Sequence, residues 1–260
     1  MISVGLFVTC LVDLHRPNVG FAAIALLEEA GCTVEVPDSQ VCCGQPAYNS
    51  GDDGSTIKIA KQVITAFERF QYVVVPSGSC ASMIVAHYPE LFSDDAIWLK
   101  RAEDLAGRSH ELFGFLVDIM KVDTFPAEHV GDVTYHDACS GLRDLGIKDQ
   151  PRQLMSNVSG LSLVEMEDTD VCCGFGGTFC VKFPDISERM VSDKAALVKQ
   201  SGARTLLGGD MGCLLNISGR LSRVDANVRV FHLAEVLAGM TDVPAIGEGA
   251  GTLTDPATKA

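Results

Sequence analysis

Val171-Cys172-Cys173-Gly174-Phe175-Gly176-Gly177 sets two thiols side by side ahead of a glycine-rich turn, and Val41-Cys42-Cys43-Gly44-Gln45-Pro46 repeats the pattern earlier in the chain. Adjacent cysteines are poorly placed to bridge each other, because a disulfide wants Cα atoms ~5.5 Å apart and consecutive Cα atoms lie only ~3.8 Å apart. They are well placed to offer two thiolates to one metal centre. The glycine that follows each pair lets the backbone turn where a β-carbon would be strained, and keeps the approach to a bulky inorganic guest open.

Working outward, Ile2 to Thr9 is a continuous apolar run that reads as a buried parallel strand and ends at Cys10. Pro17 suits the first turn of a helix that Gly31 stops. A short strand from Cys32 to Val36 leads to Cys42-Cys43. A helix with Ile57, Ala60, Ile64 and Phe67 on one face follows, and the strand Tyr72-Val73-Val74-Val75 leads to Cys80. After a charged linking region, 91–108, a helix is expected from about His110 to Met120. The second half repeats the order: a strand at Val133–His136 before Cys139, a helix start near Pro151, a strand at Leu161–Val164 before Cys172-Cys173, a helix over Ile186–Val198, and a strand at Thr205–Leu207 before Cys213. Cys139 stands 129 residues after Cys10, Cys172 stands 130 after Cys42, and Cys213 stands 133 after Cys80. The chain reads as an internal duplication. His110 and His232 are aligned as the openings of two matching closing helices, and Val228–Phe231 is read as a strand added to the second half alone.

Right-handed β-α-β crossovers place all strand-to-helix loops on one edge of a parallel sheet, so thiols distant in sequence converge. The expected fold is α/β, with two pseudo-symmetric lobes. Each is a small parallel sheet with helices on both faces, and the cysteines sit on loops at the carboxyl ends of the strands. The lobes are placed at residues 1–125 and 126–242, with 243–260 as a flexible tail that is small and polar from Gly247.

With 47% hydrophobic residues in 260, the chain can bury a full core. Its 34 acidic against 20 basic side chains, net −14, argue against a nucleic-acid surface. Met1 to Val12 has no positive leader or cleavage site and reads as a strand rather than a signal peptide. No apolar run approaches the ~18–20 residues of a membrane span. The expected location is the cytoplasm, where ten cysteines imply metal or redox chemistry rather than a disulfide framework.

Cys10, Cys42, Cys43 and Cys80 in the first half, and Cys139, Cys172, Cys173 and Cys213 in the second, are the candidate ligands. Four thiols select an iron–sulfur cluster or zinc over hard cations. Buried cysteines often serve only as small hydrophobes, but packing has no reason to repeat thiols at matched offsets. Cys32 and Cys180 have no twins, so Cys32 reads as core filler and Cys180 as lining. His136, three residues before Cys139, either supports the second site, by hydrogen bonding a cluster sulfur or as an alternative ligand, or is a strand histidine satisfied by backbone; Phe7 holds its place in the first half. Asp137, Arg143, Lys182 and Arg220 lie in or near second-half loops. Arg143 is either a carboxylate-binding fork or a solvated surface arginine. Gly174, Gly176 and Gly177 lack the G-x-G-x-x-G spacing of a dinucleotide loop.

The order Cys, Cys-Cys-Gly, Cys, taken twice, resembles the cysteine-rich CCG domain of heterodisulfide reductase and of the glycolate oxidase iron–sulfur subunit. Pro76-Ser77-Gly78-Ser79-Cys80, His136-Asp137-Ala138-Cys139, Cys172 to Phe179, Gly212 to Leu221 and His232 to Leu237 resemble more closely the lactate-utilization protein A family, over the chain to about residue 240. The resemblance implies an iron–sulfur subunit of a cytoplasmic complex that oxidises L-lactate, a small 2-hydroxy acid, to pyruvate with two sister subunits. It implies a 4Fe–4S cluster in the second lobe, and a second cluster or zinc in the first. Met83 and Asn216 stand where the heterodisulfide reductase pattern has a further cysteine, which removes a fifth thiolate from each half. The competing readings are a catalytic subunit like that of heterodisulfide reductase and a zinc-stabilised interaction module.

Overall fold

The computed structural model describes residues 2–248. Two four-stranded sheets form, and every strand pair in them is parallel. The first has the order β2-β1-β3-β4, with β1 Ile2–Leu6, β2 Cys32–Glu35, β3 Tyr72–Val75 and β4 Ser109–Glu111. The second has the order β6-β5-β7-β8, with β5 Glu128–His136, β6 Ser159–Leu163, β7 Thr205–Gly208 and β8 Arg229–His232. The α/β architecture with two pseudo-symmetric sheets is thus as the sequence implies. It differs in one respect: β8 is not peculiar to the second half, because β4 is its counterpart. Residues 109–111 form that edge strand, and the helix expected from His110 begins at Leu112. Register also moves the alignment by one residue. Val75 pairs with Glu111 and Gly208 with His232, so His232 matches Glu111 rather than His110. The region that reads as a linker carries a helix, Ala96–Ala106, whose Ala102 and Leu105 are buried.

Side-chain alternation along each strand divides the core into three. Val4, Leu6 and Val74 of the first sheet face Val133, Tyr135, Leu207 and Phe231 of the second in one shared apolar layer. Val73 and Val75 point outward beneath the helices Asp53–Phe67 and Ala96–Ala106. Leu206 and Val230 point outward beneath the helices Pro184–Gln200 and Met211–Arg223. Both faces of each sheet are therefore covered.

The lobes pack on each other through two helix crossings. The helix Pro17–Glu29 lies on the helix Leu233–Leu237, and the helical turn Gly78–Ser82 lies on the helix Cys139–Leu145. At the second crossing a β-carbon on Gly78 would stand 2.9 Å from the Gly141 Cα, so the backbones touch only because both positions are glycine. Beside the first crossing, Arg16 Nε donates to Glu235 Oε1 at 2.8 Å, and Asn18 Nδ2 donates to the same oxygen at 2.8 Å. Residues 243–248, assigned by sequence to the tail, are held on the second lobe: Ala245 and Ile246 are buried, and the Ile246 amide donates to the Val230 carbonyl. The remainder of that tail, 249–260, lies outside the described residues. Among the described residues no helix is long and apolar enough to cross a membrane.

Glu111 is buried at the end of β4, where its Oε2 accepts from the amides of Phe113 and Gly114 and so caps the helix that follows. Burial lifts its carboxyl from 4.5 to about 8, with the charges of Asp210 and Asp118 adding to the rise against the two amides. The folded state thus holds a proton that the unfolded chain releases. This contribution to stability is complete below pH 4.5 and is lost as pH climbs to about 8. Glu111→Gln should flatten that part of the pH dependence, so that in urea titrations its midpoint, relative to the unmodified protein, is higher at pH 8.5 than at pH 5. Parallel curves for the two proteins would contradict the burial argument.

Candidate metal centres

Each cysteine reaches its place through a local rule. Cys10 opens the helix Cys10–His15, Cys80 sits in Gly78–Ser82, Cys139 opens Cys139–Leu145, and Cys213 sits in the first turn of Met211–Arg223. Thr9, Ser77 and Asp210 cap three of these helices with side-chain oxygens that accept backbone amides. The paired cysteines stand on the loops after β2 and β6. Gly44 and Gly174 both turn with positive φ, +87° and +80°, and a β-carbon on Gly174 would stand 2.9 Å from the Ser187 carbonyl oxygen. The loops are tied from behind. Tyr88 donates its hydroxyl to the Cys43 carbonyl at 2.8 Å, and Asn216 Nδ2 donates to the Cys173 carbonyl at 2.9 Å.

All eight candidate ligands are brought together, four to a lobe. In the first, Cys10 and Cys42 sulfurs are 3.7 Å apart, Cys43 and Cys80 sulfurs are 3.3 Å apart, and the Cys42 sulfur also meets the thiol of Cys43. Hydrogen bonds from Cys10 and then Cys43 hold Cys42 well below the usual thiol range, while the bond to Cys42 pushes Cys10 up. In the second lobe the sulfurs neighbour one another in chain order, Cys139 by Cys172, Cys172 by Cys173 and Cys173 by Cys213, the last pair within 4.8 Å. Cys213 draws a hydrogen bond from Cys173, yet burial and the nearby charge of Asp210 leave it at about 11. Cys32 is buried in the shared core, away from both sets, with its sulfur 3.9 Å from that of Met120. The Cys180 thiol points to the Gly177 carbonyl.

The two centres differ in surroundings. A cavity of about 260 Å³ opens on the four thiols of the first lobe, with Phe175, Val181, Asp210 and Met211 of the second forming its far wall. Cys43 and Cys173 are alike at 2% exposed, and the two sets differ at Cys213, which is buried where Cys80 is half-buried. The Gly176-Gly177 turn, expected to leave the second site open, lies against the first lobe instead. Asn49 Nδ2 donates to the Gly176 carbonyl at 3.1 Å, and Ser50 and Thr178 hydroxyls meet at 3.1 Å. Behind the second set, Lys194 is buried and donates to the carbonyls of Asp168 and Thr169, holding the approach to Cys172. His136 is buried with no close hydrogen bond at either ring nitrogen, and burial, followed by the charge of Lys194, lowers it to about 4 against the pull of Asp137, Asp210 and the Thr169 backbone. Asp137 is not free for a ligand, because Arg152 clasps it with two bonds of 2.9 and 3.0 Å. Arg143 and Lys182 are exposed, and Arg220 pairs with Glu188 at 2.9 Å.

Asp210 is the residue that the sequence did not single out. Its Oδ2 accepts from Ser77 Oγ at 2.8 Å, Ser79 N at 2.9 Å and Ser79 Oγ at 2.7 Å, across the lobe boundary, while Oδ1 accepts from the amides of Gly212 and Cys213. One carboxylate thus holds the loop of Cys80 and the helix of Cys213 together. The available signal was that Ser77-Gly78-Ser79-Cys80 and Asp210-Met211-Gly212-Cys213 are the same cap written twice. Four soft thiols gathered at one edge, with the carboxylate of Asp210 engaged by other donors, form a donor set that fits an iron–sulfur cluster or zinc and not a hard cation.

The CCG family of cysteine-rich domains matches the chain twice, over residues 4–85 and 133–218. Lactate utilization protein A of Bacillus pumilus (strain SAFR-032) is 51% identical over 235 residues, which cover 90% of this chain and 98% of that protein. Lactate utilization protein A of Bacillus subtilis (strain 168) is 48% identical over the same shares. A crystal structure of a hypothetical protein from Helicobacter pylori superposes with a TM-score of 0.62 at 10% identity, covering 95% of this chain and 49% of that one, a likeness of fold alone. With the duplicated domain matched in both lobes and half of all residues shared over nearly the full length of such relatives, the chain belongs to the lactate utilization protein A family of tandem cysteine-rich CCG-domain proteins.

Proposed function

We propose that the chain is the iron–sulfur subunit of a cytoplasmic complex that oxidises L-lactate to pyruvate and carries the electrons through a cysteine-held cluster. The observation that supports this most is the gathering of four thiols at the carboxyl edge of each parallel sheet. The substrate class comes from the relatives' name. Cys139, Cys172, Cys173 and Cys213 would hold a 4Fe–4S cluster, and Cys10, Cys42, Cys43 and Cys80 a second cluster or zinc. When bound, such a cluster accepts and releases single electrons. Oxidation of lactate releases two electrons and two protons, and a centre held by these residues would let the electrons be passed on one at a time. The protein's part is to keep the thiols gathered, to balance their charge with buried Lys194, and to fix the separation of the two centres through Asp210.

Anaerobic purification with the sister subunits, followed by iron, sulfide and zinc analysis and a lactate-dependent dye-reduction assay, tests the reading. Bound iron and sulfide together with lactate-driven reduction are expected. A colourless protein that holds zinc alone, or one that cleaves disulfides without any response to lactate, would overturn it.

A further inference from the structure

The lobes differ at one residue that faces their thiols. Strand register makes Phe7 and His136 equivalent, the former 0% and the latter 1% exposed. Phe7 fills its place with apolar contact to Phe67, at 5.4 Å between ring centroids. His136 puts a polar ring in the same place, and neither Nδ1 nor Nε2 has a hydrogen-bond partner, although buried polar groups are nearly always paired. A ring nitrogen and the sulfurs of Cys173 and Cys213 all lie within 4.8 Å of one another; among the described residues this is the only such trio of buried donors. The ring makes no hydrogen bond to either sulfur, so it is not a satisfied thiol–imidazole contact. The spacing is that of donors ready to close on a shared ion, since bonds of about 2.0 Å to nitrogen and about 2.3 Å to sulfur draw tetrahedral ligand atoms to roughly 3.5–3.8 Å.

We propose that His136 is a ligand of the second-lobe centre beside Cys173 and Cys213, taking the place of one of the two outer thiols, whereas the first-lobe centre is bound by thiols alone. This rests on the reading that the second-lobe thiols hold a metal centre. An imidazole in the place of a thiolate would leave that centre less negatively charged than an all-thiolate one, so its reduction potential would be the higher of the two.

The test uses the full chain, purified anaerobically, reconstituted with iron and sulfide, grown with 14N- or 15N-histidine, and examined by pulsed hyperfine spectroscopy in its paramagnetic state. If zinc occupies the lobe, cobalt(II) replaces it as the probe. A strongly coupled nitrogen that changes with the isotope and disappears in His136→Phe, which copies the first lobe, is expected. In that variant the oxidised-to-reduced ratio of one centre, read at fixed potential, should shift at least tenfold, equivalent to about 59 mV for one electron. His136→Cys should restore the metal content without the nitrogen signal. A metal-loaded protein with no directly coordinated nitrogen, or with coupling that persists in His136→Phe, overturns the proposal. A chain that takes up no iron, zinc or cobalt overturns the reading beneath it instead. The labelled unmodified protein decides the question by itself if the variants fail to fold.

Discussion

Cys173→Ser is expected to remove the second-lobe centre while the first survives. Cys173 is the hub of its set, meeting Cys172 on one side and Cys213 on the other, and its carbonyl is tied to Asn216. A serine hydroxyl is a harder and far less acidic donor than a thiol, and it cannot grip a soft metal as thiolate does. Under the proposed function, iron and sulfide should fall by the content of one centre, and lactate-driven electron transfer should fall by more than about 100-fold, beyond the loss usual for residues that only support a ligand. Cys42→Ser attacks the corresponding first-lobe loop, where the thiols line an open cavity, and its larger effect is expected on folding. Metal analysis beside urea titration separates the two results. Equal loss of metal from both variants would contradict the asymmetry.

Glu235→Ala should cost about 3–5 kcal/mol, because it strands the Arg16 guanidinium, only 13% exposed, between the lobes without its carboxylate. The same substitution removes one of the two acceptors of Asn18, leaving the Met240 carbonyl, and the oxygen that returns to the His232 amide in a capping box, so a helix end and the interface loosen together. Arg16→Met combined with Glu235→Leu should recover most of the loss, since an apolar pair leaves no buried charge unmatched. Urea unfolding of the three proteins reads the difference. A Glu235→Ala midpoint indistinguishable from that of the unmodified chain would show that the pair does not hold the interface.

Much of this was legible from residues alone because it depends on local rules. Val73 to Val75 before a capped cysteine, and Cys-Cys-Gly with the glycine at positive φ, each specify a strand end and the turn beyond it without reference to the rest of the molecule. Parallel winding then brings Cys10, Cys42, Cys43 and Cys80 to one edge. What escaped depends on the other lobe. Ser109-His110-Glu111 is only three residues long and runs straight into a helix, so its alternation is too brief to read as β4. Asp210 looks like any helix cap until Ser77 and Ser79 arrive from the opposite lobe. The turn at Gly176-Gly177 looks open until Asn49 and Ser50 close on it. Its glycines could be identified from sequence, but not the surface they would meet.

Tandem arrangement carries a consequence that two separate copies would not share. In a dimer of identical chains, any exchange of Phe for His beneath one set of thiols would be made beneath the other at the same stroke. Joined in a single chain, the halves can keep the mutual fit that Gly78 and Gly141 require while one interior is left oily and the other is given a nitrogen base. Symmetry is thus retained where the halves touch and abandoned beside the thiols, so that two unlike sulfur-lined sites lie a fixed step apart.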